Sequence, residues 1–181
     1  MVCILLGNGF EEAEALVPAD LLRRAGIEVA LTSLEGEWAT GSHNITVKAD
    51  TTLAHVNAQE VELVMLPGGL GGVKALGADP RVKSLAYAVL KQGGYVSAIC
   101  AAPTLLAAFG LLEGKRAVCY PGMEDQMPGA LMQPSVPFVV DGRIVTGEAA
   151  GSAFPFGLKL VELLRGPEAA QAVRDAVHYH G

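Results

Sequence analysis

The sequence predicts an α/β fold in which a mainly parallel sheet is covered by helices on both faces. Short, almost entirely apolar segments alternate with longer segments of helical pattern along the whole chain. Strands that are apolar on both sides are typical of a parallel sheet buried between two helical layers. The 181 residues, 51% of them apolar and 18% charged, suffice for a substantial core. We therefore expect a single domain spanning residues 1–181.

The first half of the chain is predicted to contain three strands and two helices. Val2–Leu6 is a short apolar strand, and residues 7–26 predict a helix that closes at Gly26, as glycine commonly does. Residues 28–33 predict the second strand, and residues 36–52 are irregular or hairpin-like. A strand over residues 61–66, a glycine-rich turn, "PGGLGG", and a helix near residues 79–91 follow.

The second half begins with an uncharged stretch, "YVSAICAAPTLLAAFGLL", which is long enough to suggest a membrane span. Gly94 and Pro103 argue against a span, because they favour a strand over Tyr95–Ile99, a sharp turn, and a helix over residues 104–112. A strand over residues 116–120, an added hairpin over residues 137–147 and helices over residues 152–164 and 167–178 complete the chain. We expect no membrane partner.

Charge and cysteine content exclude several classes of function. Thirteen Lys and Arg against nineteen Asp and Glu give a net charge of −6, and the basic residues are scattered, which argues against a nucleic-acid partner.

The cysteines, Cys3, Cys100 and Cys119, are odd in number and lack Cys-x-x-Cys spacing, so they predict neither a disulfide framework nor a zinc site. The four histidines also lack a metal-binding spacing, and we expect them at the surface. With no signal segment evident, the sequence predicts a cytoplasmic protein.

Ligands of parallel sheets bind beyond the carboxyl ends of the strands, which places the functional edge after Leu6, Leu66 and Ile99. The segment "GNGFEE" after Leu6 begins like a dinucleotide fingerprint, but the third glycine is missing. Its glutamates would also repel a pyrophosphate at the helix start. The segment "PGGLGG" lacks the Gly-Lys-Ser/Thr ending of a phosphate loop. We therefore expect no cofactor.

Glu14 differs from the neighbouring Glu11 and Glu12. At about 100° per residue, Glu14 lies at the centre of an apolar stripe that includes Pro18 and Leu21, so its carboxyl group is predicted to face the core. Burial is expected to raise its pKa above the ordinary value of about 4.3. Glu11 and Glu12 are interpreted as charges that complement the helix dipole.

Cys100 is predicted to occupy the turn between a strand and a helix. Small residues two positions away on either side, Ala98 and Ala102, allow a sharp turn like that of a nucleophile elbow. The helix N-terminus is expected to favour the thiolate, and the N–H groups of Ala101 and Gly69 to stabilise an oxyanion. The alternative is a small buried hydrophobic residue, which is our interpretation of the other two cysteines.

Four segments together resemble the ThiJ/PfpI superfamily, and within it the branch of the parkinsonism-associated protein DJ-one and its bacterial relatives: "EEAEALVPADLLRRAG", "VMLPGGLGG", "SAICAAPTLLA" and "TGEAAGSAF". The resemblance covers nearly the whole chain. It implies a flavodoxin-like three-layer sandwich, a homodimer, Cys100 as the reactive thiol and Glu14 as a protonated acid touching the sulfur. It also implies Gly69 and Ala101 as backbone donors. We expect Gly68 to line the pocket.

The sequence departs from that family at several positions. Tyr120 is placed in the pocket where close relatives have a histidine. Ala101 directly follows Cys100, whereas the protease-like and chaperone-like branches have a histidine at that position. His43 and Glu148 stand where relatives often carry arginines. These differences weaken a peptidase interpretation and leave the general base unassigned.

The resemblance implies a cofactor-free protein that protects against reactive aldehydes. Cys100 would attack an α-oxoaldehyde such as methylglyoxal and Glu14 would move protons, giving lactate without glutathione, or the same pair would remove early aldehyde adducts from proteins. The alternative is a non-catalytic sensor of oxidative stress, in which Cys100 is oxidised and Glu14 donates a hydrogen bond to the oxidised sulfur.

Overall fold

The computed structural model describes residues 1–181 and contains eleven strands and six α-helices. The elements of the first half are β1 (Val2–Leu6), α1 (Glu12–Arg24), β2 (Val29–Ser33), β3 (Trp38–Thr40), β4 (Thr46–Lys48), β5 (Thr51–Thr52), β6 (Leu63–Leu66), α2 (Leu70–Ala78) and α3 (Pro80–Lys91). Those of the second half are β7 (Tyr95–Ile99), α4 (Pro103–Ala108), β8 (Arg116–Ala117), β9 (Leu131–Met132), β10 (Phe138–Asp141), β11 (Ile144–Gly147), α5 (Ala153–Arg165) and α6 (Pro167–Ala176).

Seven strands form the central sheet in the order β10-β11-β7-β6-β1-β2-β5. Every neighbouring pair is parallel except β10 and β11, which form an antiparallel hairpin at one edge. β1 lies near the middle, and Val2 aligns with Val29 on one side and with Leu63 on the other. The mainly parallel sheet and its added hairpin are therefore as predicted.

Helices cover both faces of this sheet, because alternate residues of its strands point to opposite sides. On one face, Cys3 and Leu5 pack with apolar residues of α2, α3 and α4. On the other face, Val2, Ile4 and Leu6 pack with apolar residues of α1, α5 and α6. The result is the three-layer, flavodoxin-like arrangement that the sequence predicts.

The segment 67–72 is not only a turn, as predicted, because helix α2 begins inside it at Leu70. Glycine has a low helix propensity, which is why the sequence gives no sign of this helix. The glycines serve close packing instead. A methyl group at Gly72 would lie 2.8 Å from the Cα atom of Phe10, so only glycine lets α2 approach the loop after β1.

Two predicted elements are shorter than expected. The strand predicted over residues 116–120 is reduced to β8, which pairs with β9 in a separate small sheet. After β8 the backbone N–H groups form hydrogen bonds outside the sheet. The N–H of Val118 donates to Thr146 Oγ1 at 3.0 Å, and the N–H of Tyr120 donates to the carbonyl of Cys100 at 2.8 Å. Cys119 is consequently buried but lies outside any strand. The helix predicted over residues 104–112 ends at Ala108, because Gly110 turns the chain with a φ of +79°.

Residues 36–52 contain the hairpin of β3 and β4. Its turn lies against the start of α1, where the N–H of Ser42 donates to the carbonyl of Phe10 at 2.8 Å. The uncharged stretch 95–112 contains β7 and α4, and none of the helices in the chain has both the length and the apolar character that crossing a bilayer requires.

Candidate active site

Cys100 occupies a sharp turn between β7 and α4. Its φ of +66° lies in the left-handed region, which costs a residue with a side chain about 1–3 kcal/mol. Two hydrogen bonds hold the turn: the N–H of Cys100 donates to the carbonyl of Gly147 at 3.0 Å, and its own carbonyl accepts from Tyr120. The side chain packs against both apolar layers and is partly exposed. The elbow geometry predicted from the sequence is therefore present.

Glu14 reaches the sulfur from helix α1. The residue is 1% exposed, and its Oε2 atom accepts a hydrogen bond of 2.8 Å from the N–H of Gly68. Oε1 is buried without a nitrogen or oxygen donor, and the Cys100 thiol is the other group that hydrogen-bonds to this carboxyl. The position predicted from helical periodicity is thus correct, and the periodicity alone could not reveal the contact with the thiol.

Gly68 lies behind the pair and not on the cavity surface where it was predicted. The residue is buried, and a methyl group there would lie 2.5 Å from Oε2 of Glu14 and 2.7 Å from Cβ of Cys100. The absence of a side chain is therefore what lets the carboxyl and the thiol meet.

Glu14 and Cys100 titrate as a coupled pair. Burial raises the pKa of Glu14 to about 7. Burial of the sulfur, followed by the Glu14 carboxylate, raises the pKa of Cys100 to about 12. The sequence predicted the opposite direction for the thiol, but α4 has only six residues and begins three positions after Cys100, so its dipole is outweighed by burial. The pair consequently loses one proton, that of the Glu14 carboxyl, near pH 7, while the Cys100 thiol keeps its proton to much higher pH.

The N–H groups of Ala101 and Gly69 both hydrogen-bond to the sulfur of Cys100 and act to lower its pKa. These are the two donors that the sequence assigned to an oxyanion. In this structure they point at the thiol itself, so they favour negative charge on the sulfur or on an atom bonded to it.

Replacing Gly69 by alanine is expected to lower the free energy of unfolding by about 2 kcal/mol. Gly69 has a φ of +85°, and a methyl group there would lie 2.6 Å from the backbone nitrogen of Glu11, which cannot move aside as a side chain can. Urea unfolding measures the loss. Gly26→Ala is the matched control, because Gly26 also has a positive φ but open space around it. Equal losses in the two variants would contradict the predicted steric clash.

An open cavity of about 770 Å³ gives access to Cys100. One wall is formed by residues that follow β6, including Leu70, and another by Tyr120 and the residues after it. Tyr120 is 49% exposed, which agrees with its predicted place in the pocket. His43, which was predicted to be a surface histidine, also lines this cavity. His43 is exposed, but it faces the same cavity.

Glu12, interpreted from the sequence as a charge that complements the helix dipole, is buried in the structure. It is 6% exposed and accepts hydrogen bonds from the backbone N–H of His43 at 2.8 Å and from the ring Nδ1 of His43 at 3.1 Å. Burial alone would raise its pKa, but its own backbone N–H and the bonds from His43 and Ile45 outweigh burial and lower the pKa to about 2. Glu12 is therefore ionised at neutral pH.

Glu11, Glu12 and His43 are the one group of three metal-ligating side chains whose ligand atoms lie within 4.8 Å of one another. Their polar atoms already bond to one another and to the hydroxyl of Ser42, which lies 3.0 Å from Glu11. Internal hydrogen bonding accounts for this cluster, so we assign it no metal.

Comparison with known proteins agrees with this geometry. Residues 1–163 match the sequence model of a single protein family, DJ-1/PfpI. The chain belongs to the DJ-1/PfpI family. Its resemblance to the ThiJ/PfpI superfamily, inferred from four sequence segments, is thereby confirmed.

Relatives within the DJ-1/PfpI family cover most of the chain. Protein dj-1beta of Drosophila melanogaster is 40% identical over 172 residues, which are 94% of this chain and 92% of the relative. Its crystal structure superposes with a TM-score of 0.95 and 37% identity, covering 99% of this chain and 98% of that one. A Pyrococcus horikoshii protein named deglycase PH1704 is 32% identical over 91% of this chain and 99% of its own length. The Caenorhabditis elegans protein named glutathione-independent glyoxalase DJR-1.2 is 33% identical over 87% and 84%.

Proposed function

We propose that this protein converts small α-oxoaldehydes such as methylglyoxal to 2-hydroxyacids, without glutathione or a metal, through Cys100 and Glu14. The observation that carries the proposal is a carboxyl group with a pKa of about 7 that hydrogen-bonds to a thiol beside an open cavity. The names of two relatives, a deglycase and a glutathione-independent glyoxalase, support the same class of substrate.

The first step joins the sulfur to the aldehyde carbon. Glu14 accepts the thiol proton, the sulfur attacks the aldehyde carbon, and the electron pair of the C=O double bond moves to oxygen. Glu14 then returns the proton to that oxygen, which gives a hemithioacetal on Cys100. A group that titrates near pH 7 suits both transfers, because it gains and loses a proton with little cost.

The second step moves a proton between the two carbons. The Glu14 carboxylate removes the hydrogen of the former aldehyde carbon, and the electron pair of that C–H bond forms an enediolate. Glu14 then returns the proton to the neighbouring carbon, while the hydroxyl proton of the hemithioacetal passes to the neighbouring oxygen. The product is a lactoyl thioester of Cys100, with no net oxidation. Water then cleaves the C–S bond, releasing lactate and restoring the thiol. Early adducts of the same aldehydes with amines present the same carbon to Cys100, which extends the proposal to deglycation.

Lactate formation by the wild-type protein without glutathione tests this proposal, and Glu14→Gln tests the role of the acid. Below pH 7 the carboxyl is protonated and cannot accept the thiol proton, so kcat/KM of the wild type is expected to rise through an apparent pKa near 7. Glu14→Gln should lower kcat/KM by about 10²-fold and remove that rise. A variant that keeps the wild-type pH profile would contradict the assignment of Glu14.

We also infer that the chain forms a single domain, that it works as a homodimer and that it acts in the cytoplasm. Three free cysteines suit a reducing compartment, and membership of the DJ-1/PfpI family supports the dimer. Light scattering of the purified protein would measure the assembly directly, and a monomeric mass would overturn the dimer.

A second candidate is an oxidation sensor that turns over no substrate. The contacts of the sulfur favour it: the N–H groups of Gly69 and Ala101 would bind the oxygens of a sulfinate, and Glu14 in its acid form would donate a third hydrogen bond. Mass spectrometry after mild peroxide treatment distinguishes the two candidates. Addition of two oxygens at Cys100 without aldehyde turnover would favour the sensor over the enzyme.

A further inference from the structure

A second reactive side chain, apart from Cys100 and Glu14, lines the cavity beside Cys100. His43 lies in the turn of the β3–β4 hairpin and lines this cavity together with Cys100. Its ring is 69% exposed, so water reaches it freely. Nothing in the first two chemical steps uses this side chain.

A buried carboxylate fixes the orientation of the His43 ring. Oε2 of Glu12 lies 3.1 Å from Nδ1, while Oε1 of the same carboxylate binds the backbone N–H of His43. Because an ionised carboxylate can only accept, Nδ1 carries the hydrogen and the lone pair of Nε2 is left free. Histidine held in this way by a carboxylate is suited to take a proton from water.

The final step of the proposed reaction needs such a group. Hydrolysis of a thioester on Cys100 requires an activated water that arrives from the open side of the sulfur. Glu14 is 1% exposed and hydrogen-bonds to the sulfur from its buried side, so it serves the substrate atoms next to that sulfur but not a water in the open part of the cavity. Tyr120 also faces the cavity, but its hydroxyl has no carboxylate partner, whereas His43 has one.

We propose that His43, oriented by Glu12, is the general base that activates water to hydrolyse the Cys100 thioester, an inference that rests on the proposed function. Nε2 of His43 takes a proton from water as the oxygen attacks the thioester carbon. The C–S bond then breaks, the sulfur leaves with the bonding pair, and the Glu14 carboxylate passes the proton of the newly formed lactic acid to it. Lactate leaves, and His43 loses its proton to solvent.

The charged groups around His43 set its titration. The hydrogen bond to Glu12 and then the negative charge of Glu11, 3.5 Å from Nδ1, raise the pKa of His43. Cys100 and Tyr120 face it across the cavity. Thioester hydrolysis is therefore expected to slow as the pH falls through this raised pKa, since the protonated ring accepts no further proton.

The test compares His43→Gln with the wild type in steady-state turnover of methylglyoxal and in single-turnover samples. The variant is expected to lose about 10²-fold in kcat and to accumulate a lactoyl adduct on Cys100, which mass spectrometry of acid-quenched samples detects. His55→Gln is the matched control. Nδ1 of His43 lies 3.1 Å from the hydroxyl of Ser42, and Nδ1 of His55 lies 2.9 Å from that of Thr52, but His55 does not line the cavity. Added imidazole should restore part of the kcat of His43→Ala.

The outcomes separate the inference from the function on which it rests. Wild-type protein that makes neither lactate nor adduct overturns both. If the wild type is active and His43→Gln has the same kcat, only the role of His43 is overturned. The same holds if His43→Gln has a lower kcat but accumulates no adduct. NMR of the ring nitrogens of His43 in the resting protein gives a readout that does not depend on activity. A hydrogen on Nε2 and none on Nδ1 would also overturn the role of His43.

Discussion

Replacing Cys100 by serine is expected to lower lactate formation from methylglyoxal by at least about 10³-fold, because the reaction loses its nucleophile. A hydroxyl group gives up its proton far less readily than a thiol, and the Glu14 carboxyl, with a pKa of about 7, is too weak a base to take it. The fold should persist, since the backbone bonds to Gly147 and Tyr120 do not involve the sulfur. Lactate assay together with circular dichroism measures both effects.

Cys119→Ser is the matched control for this variant. Cys119 is also a free thiol, and its pKa is raised to about 11 by burial and then by the charge of Glu124, yet it does not line the cavity. This variant should retain wild-type turnover if it folds. Turnover by Cys100→Ser at the wild-type rate would refute covalent catalysis by Cys100 and leave the carboxyl without a role.

Local patterns sufficed for the parts of the site that depend on one element at a time. Helical periodicity identified Glu14, because Pro18 and Leu21 follow it on the buried face of α1 after one and two turns. The small residues around Cys100 identified the elbow. Strand and helix order likewise fixed the sheet, since buried parallel strands have a composition that few other structures share.

The parts that were missed depend on contacts between distant segments. The burial of Glu12 is created by the β3–β4 turn about thirty residues later, where Gly41 leaves room for the carboxyl and Ser42 and His43 bond to it. No periodicity in α1 encodes that contact. The direction of the thiol pKa was also missed, because it depends on how deeply the sulfur is buried and on the carboxyl beside it.

The site imposes a cost on the fold that varies with pH. Glu14 is buried, its Oε1 has no nitrogen or oxygen donor, and its pKa rises from an ordinary 4.5 to about 7. In the unfolded chain this carboxyl ionises at lower pH than in the folded one. Its contribution to stability is therefore fully present below pH 4.5 and is lost as the pH rises through 7.

Glu14→Gln is accordingly expected to gain stability relative to the wild type as the pH rises from 4.5 to 8. The difference between a pKa of 4.5 and one of about 7 corresponds to about 3 kcal/mol in the free energy of unfolding, or about 6–12 °C in the unfolding midpoint. A glutamine oxygen can still accept from the N–H of Gly68, so the substitution removes the charge and keeps the bond. Thermal unfolding of both proteins across this range measures the gain.

Glu28→Gln serves as the control, because Glu28 is exposed and its removal subtracts one negative charge without touching the site. That variant should follow the wild-type curve. Groups such as His43 titrate equally in all three proteins, so the difference between the Glu14→Gln and wild-type curves isolates the buried carboxyl. Parallel curves would mean that the carboxyl ionises as easily in the folded protein as in the unfolded chain, and it could then not hold the proton that the proposed chemistry moves between sulfur, oxygen and carbon.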